Sequence, residues 1–174
     1  MDYSKFISVT PDFPTKGISF KDISPLLDDP KAFQSCIDDF AKLAEKYHPD
    51  VIVGPEARGF VFGSALAYKM GLGFVMARKA GKLPGKTYEV EYALEYGTAK
   101  LQIPANSFRP GQRVLMIDDL LATGGSLRAL EDLIVKAGGL PVAALTLINL
   151  VEIEGWKNLG VPQECLIELS ALHA

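Results

Sequence analysis

Val114-Leu115-Met116-Ile117-Asp118-Asp119-Leu120-Leu121-Ala122-Thr123-Gly124-Gly125-Ser126 is the stretch on which the fold turns. Four apolar residues run into two adjacent carboxylates, Asp118 and Asp119. A small, flexible turn follows, and then helix-forming residues. This pattern predicts a buried strand, a polar crossing at its carboxyl end, and a loop shaped for an anion. Gly124 and Gly125 can adopt conformations closed to other residues, so several backbone N–H groups can converge on one phosphate. The helix beyond adds its positive end, and Thr123 and Ser126 add hydroxyl donors. The carboxylates would repel a phosphate. They make sense facing hydroxyl groups, for which ionised carboxylates are pure acceptors. A ribose 5-phosphate carries both features. A nucleoside-triphosphate P-loop is disfavoured, because no Gly-Lys-Ser/Thr follows the glycines.

Outward from this motif, continuous apolar segments alternate with helical ones. Val51-Ile52-Val53 and Phe74-Val75-Met76-Ala77 read as strands, as do Ala99 to Ile103 and Val142 to Ile148. A helix opens at Asp29-Pro30, a capping residue followed by proline at the first helical position. It keeps Phe33, Cys36, Ile37, Phe40, Leu43, Ala44 and Tyr47 on one face and ends near His48-Pro49. A second runs from Phe60 to Met70 and closes at Gly71, and a third runs from the phosphate loop to about Ala137. Val151 to Leu169 reads as a short helix and one more strand. Strands of this kind imply an α/β fold, with a central, mostly parallel sheet covered by helices on both faces. Ligands then sit at the carboxyl ends of the strands. Three segments leave such ends: Gly54 to Gly59, Arg78 to Lys86, and Asp118 to Ser126.

The chain has 174 residues, of which 48% are hydrophobic and 22% charged, and a formal charge of -3. That suits one globular domain, residues 1–174, and points to neither nucleic acid nor an anionic membrane as partner. No apolar run reaches the roughly 18 residues of a membrane span, and Met1 to Lys5 lacks the build of a signal peptide. Cys36 and Cys165 are expected to be free thiols in a reducing cytoplasm. Only two histidines, His48 and His173, are present, so a structural zinc site is not expected.

The acidic pair followed by Thr-Gly-Gly-Ser resembles the signature of the type I phosphoribosyltransferases, which bind 5-phosphoribosyl 1-pyrophosphate. Further segments resemble the adenine-specific members of that family, in the same order along the chain. They are Phe13 to Gly17 with Phe20 to Pro25, Arg58-Gly59-Phe60, Arg78-Lys79 with Gly81 to Gly85, and Leu94-Glu95-Tyr96-Gly97. The resemblance implies a Rossmann-like core, a base-binding arm or hood over residues 1–28, and a flexible lid loop over 78–97. It implies transfer of the phosphoribosyl group to adenine, giving AMP and pyrophosphate in purine salvage. It also implies a homodimer, and magnesium held mainly by the substrate and water rather than by protein ligands.

The resemblance assigns roles by position. The catalytic acid/base would be Glu95, exchanging a proton with the purine ring; alone, a glutamate there reads as a surface charge, the role expected of Glu89 and Glu91. Asp118, Asp119, Ala122, Thr123, Gly124, Gly125 and Ser126 would hold the ribose 5-phosphate. Arg58, Lys79, Lys82 and Tyr96 would complete the contacts to the donor or to AMP, with a cis peptide at Glu56-Ala57. Lys86, in the same basic loop as Lys79 and Lys82, reads equally well as a solvated charge. Phe20 would stack on adenine while backbone groups of Ser19 and Lys21 read its edge; as residues alone, Phe20 fits a core position and Arg58 an ordinary ion pair. Closure of the lid would keep water from the reacting centre.

Two other readings share the phosphate loop. A transferase for another purine such as xanthine would differ only in the arm and the Arg58 loop. A non-catalytic regulator binding the same donor should carry an extra helical module or a basic face, and this sequence has neither.

Overall fold

The computed structural model describes residues 1–94 and 97–172. An antiparallel ribbon near the N-terminus pairs β1 (Ser8–Thr10) with β2 (Phe20–Asp22). Two helices follow, α1 (Ser24–Asp28) and α2 (Pro30–Glu45). The Asp29 carboxylate accepts from the N–H groups of Lys31 and Ala32, so the expected cap starts α2. Beyond it come β3 (Val51–Pro55), α3 (Arg58–Met70), β4 (Gly73–Lys79), β5 (Thr87–Ala93) and β6 (Thr98–Pro104). The chain continues through β7 (Arg113–Leu121), α4 (Gly125–Lys136), β8 (Leu140–Leu150), a 3-10 turn (Gly155–Asn158) and β9 (Gln163–Leu169).

Seven strands form one sheet in the order β5-β6-β4-β3-β7-β8-β9. Neighbours from β4 through β9 are parallel, whereas β6 runs antiparallel to both β4 and β5. This is the mostly parallel α/β sheet expected from the sequence. Period-two alternation divides its core. Ile52, Leu115, Ile117 and Leu145 face α2 and α3, where they meet Phe40, Phe62 and Leu66. Val51, Val53, Val114 and Met116 face α4 and meet Leu127, Leu130 and Leu133. The strands are apolar throughout because both faces are covered.

One expectation needs correction. The span 78–97 is not a single loop. Arg78 and Lys79 finish β4, and Thr87–Ala93 forms an edge strand paired with β6 from Thr87↔Pro104 to Ala93↔Thr98. The cause is alternation: Tyr88, Val90 and Tyr92 pack on the α4-side core, while Glu89 pairs with Lys100 at 3.0 Å. Glu91 accepts a hydrogen bond from Thr98 Oγ1 at 2.6 Å. Glu89 and Glu91 thus have the surface roles expected of them. Among the described residues of the span, the longest irregular stretch is 80–86, turned by Gly81 and Gly85 at φ +83° and +72°.

Candidate active site

Because β3, β4 and β7 are parallel neighbours, the segments leaving their carboxyl ends share one rim. They enclose a cleft of about 680 Å³ lined by Glu56, Arg58, Lys79, Tyr92 and the run Asp118 to Leu127.

The acidic pair sits at the end of β7 with little access to solvent, Asp118 at 9% and Asp119 at 3%. The Asp119 N–H donates to Asp118 Oδ1 at 2.8 Å. Asp119 Oδ2 lies 3.0 Å from Arg58 Nε, close enough for an ion pair but without hydrogen-bond alignment. Burial pushes the Asp118 carboxyl well above the usual range, and the Asp119 charge pushes it further. Asp118 therefore holds its proton to higher pH than an ordinary carboxyl, and a protonated carboxyl can donate as well as accept. Two glycines bring the β3–α3 turn onto this pair. A Cβ on Gly54 would stand 2.8 Å from the Gly59 carbonyl oxygen, and one on Gly59 would stand 3.2 Å from Asp118 Oδ1. The Glu56–Ala57 peptide between them is cis, as the resemblance implies.

The loop from Ala122 to Ser126 leads into α4. Gly124 is the N-cap in the left-handed region, at φ +83°, and no side chain caps the helix. Thr123 Oγ1 accepts a long hydrogen bond from the Gly125 N–H, at 3.4 Å. The first turn of α4 thus faces the cleft with its dipole available to an anion.

Two basic candidates part company. Lys79 lines the cleft, and its N–H donates to Glu56 Oε1 at 2.8 Å. Arg78 Nε donates to the same oxygen at 3.3 Å. Lys82 is exposed and does not line the cleft; its carbonyl accepts from Arg78 Nη1 at 3.3 Å.

The arm reaches the rim through Arg58. The guanidinium carbon lies 5.4 Å from the centroid of the Phe20 ring, and Phe13 meets that ring edge-on at 5.2 Å. The Lys21 side chain is buried and donates to Ser19 Oγ at 2.9 Å, locking the strand that carries Phe20. Glu95 and Tyr96 lie outside the described residues. Their neighbours Ala93 and Leu94 line the cleft.

Three comparisons bear on this geometry. The family model for the phosphoribosyl transferase domain matches residues 22–157. The adenine phosphoribosyltransferase of Oenococcus oeni is 46% identical over 172 residues, covering 97% of this chain and 98% of the relative. That of Pseudothermotoga lettingae is 51% identical over 159 residues, covering 91% and 94%. The chain belongs to the adenine phosphoribosyltransferase family. Solved structures agree. The family member from Thermoanaerobacter pseudethanolicus superposes with a TM-score of 0.94 at 47% identity, over 97% of this chain and 98% of that one. The Saccharomyces cerevisiae member, complexed with adenine and an imino-altritol bisphosphate, gives 0.92 at 36% identity, over 95% and 97%.

Three site residues of this family member escape motif reading. Glu56 ties β4 to the β3–α3 turn, and Tyr92 enters the cleft from the edge strand. Asn158 Nδ2 donates to the Thr123 carbonyl at 2.7 Å. Tyr92 was legible as one position of an alternating strand, and Glu56 lies in a rim segment that the sequence marks without giving it this role; Asn158 carries no local signal. Among the described residues, no group of three or more His, Cys, Asp or Glu is arranged to hold a metal.

Proposed function

We propose that the chain transfers the 5-phosphoribosyl group of 5-phospho-α-D-ribose 1-diphosphate to adenine, releasing AMP and diphosphate. One juxtaposition carries the reading: the buried pair Asp118–Asp119 runs directly into an uncapped helix start, while Arg58 links that pair to the aromatic arm.

The 5-phosphate is assigned to the N–H groups and hydroxyls of Thr123 to Ser126, beside Ala122. Asp118 and Asp119 take the 2- and 3-hydroxyls. Arg58 and Lys79 face the diphosphate, with Lys82 joining when the 80–86 segment closes. Phe20 stacks on adenine, and backbone groups of Ser19 and Lys21 read its edge. An oxo-purine would leave one of those groups buried and unpaired at a cost of about 1–3 kcal/mol, enough to disfavour hypoxanthine by tens-fold.

In the reaction the bond from C1 of ribose to the diphosphate oxygen breaks and a bond from C1 to a ring nitrogen forms. Glu95 takes the proton that the purine sheds, and Tyr96 beside it completes the donor contacts. The transition state is cation-like at the ribose, so placement of charge dominates. Magnesium bound with the diphosphate would supply positive charge to offset that of the leaving group. The carboxylates lining the cleft are Glu56, Asp118 and Asp119, and the ion would keep most of its ligands from substrate and water. We read residues 1–174 as one functional unit acting as a homodimer in the cytoplasm, with a basic residue of the neighbour completing the lid. No helix among the described residues is long and apolar enough to cross a membrane.

The test offers the purified chain magnesium and the donor with adenine, hypoxanthine, guanine or xanthine, and measures diphosphate release. Release with adenine is expected. Turnover only with an oxo-purine overturns the choice of base, and no turnover with any base overturns catalysis in favour of a binding regulator.

A further inference from the structure

Behind the phosphate loop lies the 3-10 turn Gly155–Asn158, which no motif marks and which contributes nothing to the cleft lining. Its packing against the loop is too close for side chains. A Cβ on Gly155 would stand 2.0 Å from the Ala122 carbonyl oxygen and 2.7 Å from the Thr123 carbonyl carbon. From the other side, a Cβ on Gly124 would stand 2.5 Å from the Gly155 carbonyl oxygen. Asn158 Nδ2 donates to the Thr123 carbonyl at 2.7 Å.

Two successive carbonyls, those of Ala122 and Thr123, are therefore turned onto the 155–158 turn. Neither peptide following them is cis, and in a trans peptide the C=O and N–H point in opposite directions. The N–H groups of Thr123 and Gly124 accordingly point away from the turn, and both residues line the cleft. The turn is in its place through α4 itself. Arg128 Nη1 donates to the Asn158 carbonyl at 3.5 Å, and the Gly160 N–H donates to Glu131 Oε2 at 3.0 Å. Helix, loop and turn form one closed unit, whose inner carbonyls are held back so that its outer amides face an anion.

We infer that Asn158 and Gly155 are positioning residues that aim the phosphate-loop amides. This rests on the proposed reading of the loop as the 5-phosphate site. A loop whose carbonyls were free to turn would spend part of its time presenting oxygens to the phosphate. The loss on removing the Asn158 amide should then fall on the phosphoribosyl donor and spare the base.

The test measures steady-state kinetics with both substrates, and ribose 5-phosphate affinity by calorimetry, for the intact chain and for Asn158→Ala, Asn158→Asp and Gly155→Ala. In Asn158→Ala, KM for the donor and Kd for ribose 5-phosphate should rise together, about five- to tenfold. KM for adenine and the melting temperature should hold. Asn158→Asp, of equal size but without the donor N–H, should be no better than Asn158→Ala. Gly155→Ala should lose more of both affinities. An unchanged donor KM and ribose 5-phosphate Kd in Asn158→Ala overturns the inference. So does an equal rise in both KM values with a lowered melting temperature, which marks a merely structural role. An unmodified chain that turns over no purine overturns the proposed function alone, because the ribose 5-phosphate affinities still decide this inference. One that binds no ribose 5-phosphate overturns both.

Discussion

Arg58 Nε stands 3.0 Å from Asp119 Oδ2, joining the first turn of α3 to the carboxyl end of β7. The two ends of this ion pair differ in exposure, 45% for the Arg58 side chain and 5% for that of Asp119. The exposed arginine is thus the counter-charge of a buried carboxylate, and the same guanidinium lies against Phe20. One side chain links the acidic pair at the end of β7 to the aromatic ring of the arm.

Replacing Arg58 by alanine strands that carboxylate. Breaking a fully buried pair costs several kcal/mol, and the exposure of Arg58 reduces this to about 1–2 kcal/mol. Calorimetry should find a melting temperature lower by roughly 3–6 °C. Arg58→Lys should recover part of that stability. It should not recover kcat/KM, since an ammonium keeps the charge but loses the planar face against Phe20. An unchanged melting temperature in Arg58→Ala would show that Asp119 does not depend on this partner.

Asp118 makes a pH-dependent contribution of defined sign. Its pKa in the folded chain is raised by burial and then by the Asp119 charge. Folded protein therefore binds the proton more tightly than unfolded protein. The associated stability is fully present below the ordinary value of 3.8. It is lost as pH rises through the folded pKa, at up to about 1.4 kcal/mol per pH unit. Asp118→Asn mimics the neutral form without titrating. It should melt higher than the unmodified chain at pH 7 to 8, the gain shrinking to nothing near pH 4, while donor affinity falls because the amide lacks the carboxylate's charge and second acceptor oxygen. Melting curves that keep the same separation at every pH would contradict this.

Phe20→Ala isolates the base. Stacking of a base on an aromatic ring is worth about 1–3 kcal/mol, so KM for adenine should rise about five- to a hundredfold. KM for the phosphoribosyl donor should stay within twofold. A change confined to the donor would move Phe20 out of the base site.

Glu95→Gln removes the proposed proton acceptor while keeping size and polarity. Substrate binding should persist, and kcat should fall about 10²–10⁴-fold, the usual worth of general acid–base catalysis. Near-normal turnover would take that role away from Glu95.

Much of the fold and site was legible because the signals are local. The strand of Val114 to Ile117, the carboxylates at its end and the glycine turn are consecutive, so their order along the chain is their order in space. The Asp29-Pro30 start of α2 is likewise local chemistry. Thr87–Ala93 was legible in principle, since Tyr88, Val90 and Tyr92 alternate with Glu89 and Glu91. The lysines and glycines just before it and the charges within it masked that period.

The sequence by itself determined the fold class, the family resemblance and the run from the acidic pair to the glycine loop that lines the cleft, because each rests on residue types at fixed short spacing. Only the tertiary structure decided which groups meet across elements. It set Arg58 between Asp119 and Phe20, left Lys82 outside the cleft lining that Lys79 joins, and turned the Ala122 and Thr123 carbonyls onto Gly155 and Asn158. It also raised the pKa of Asp118, since that shift comes from desolvation by packed neighbours. Such relations depend on sheet order and on close approach of backbones more than thirty residues apart, and no local pattern encodes them.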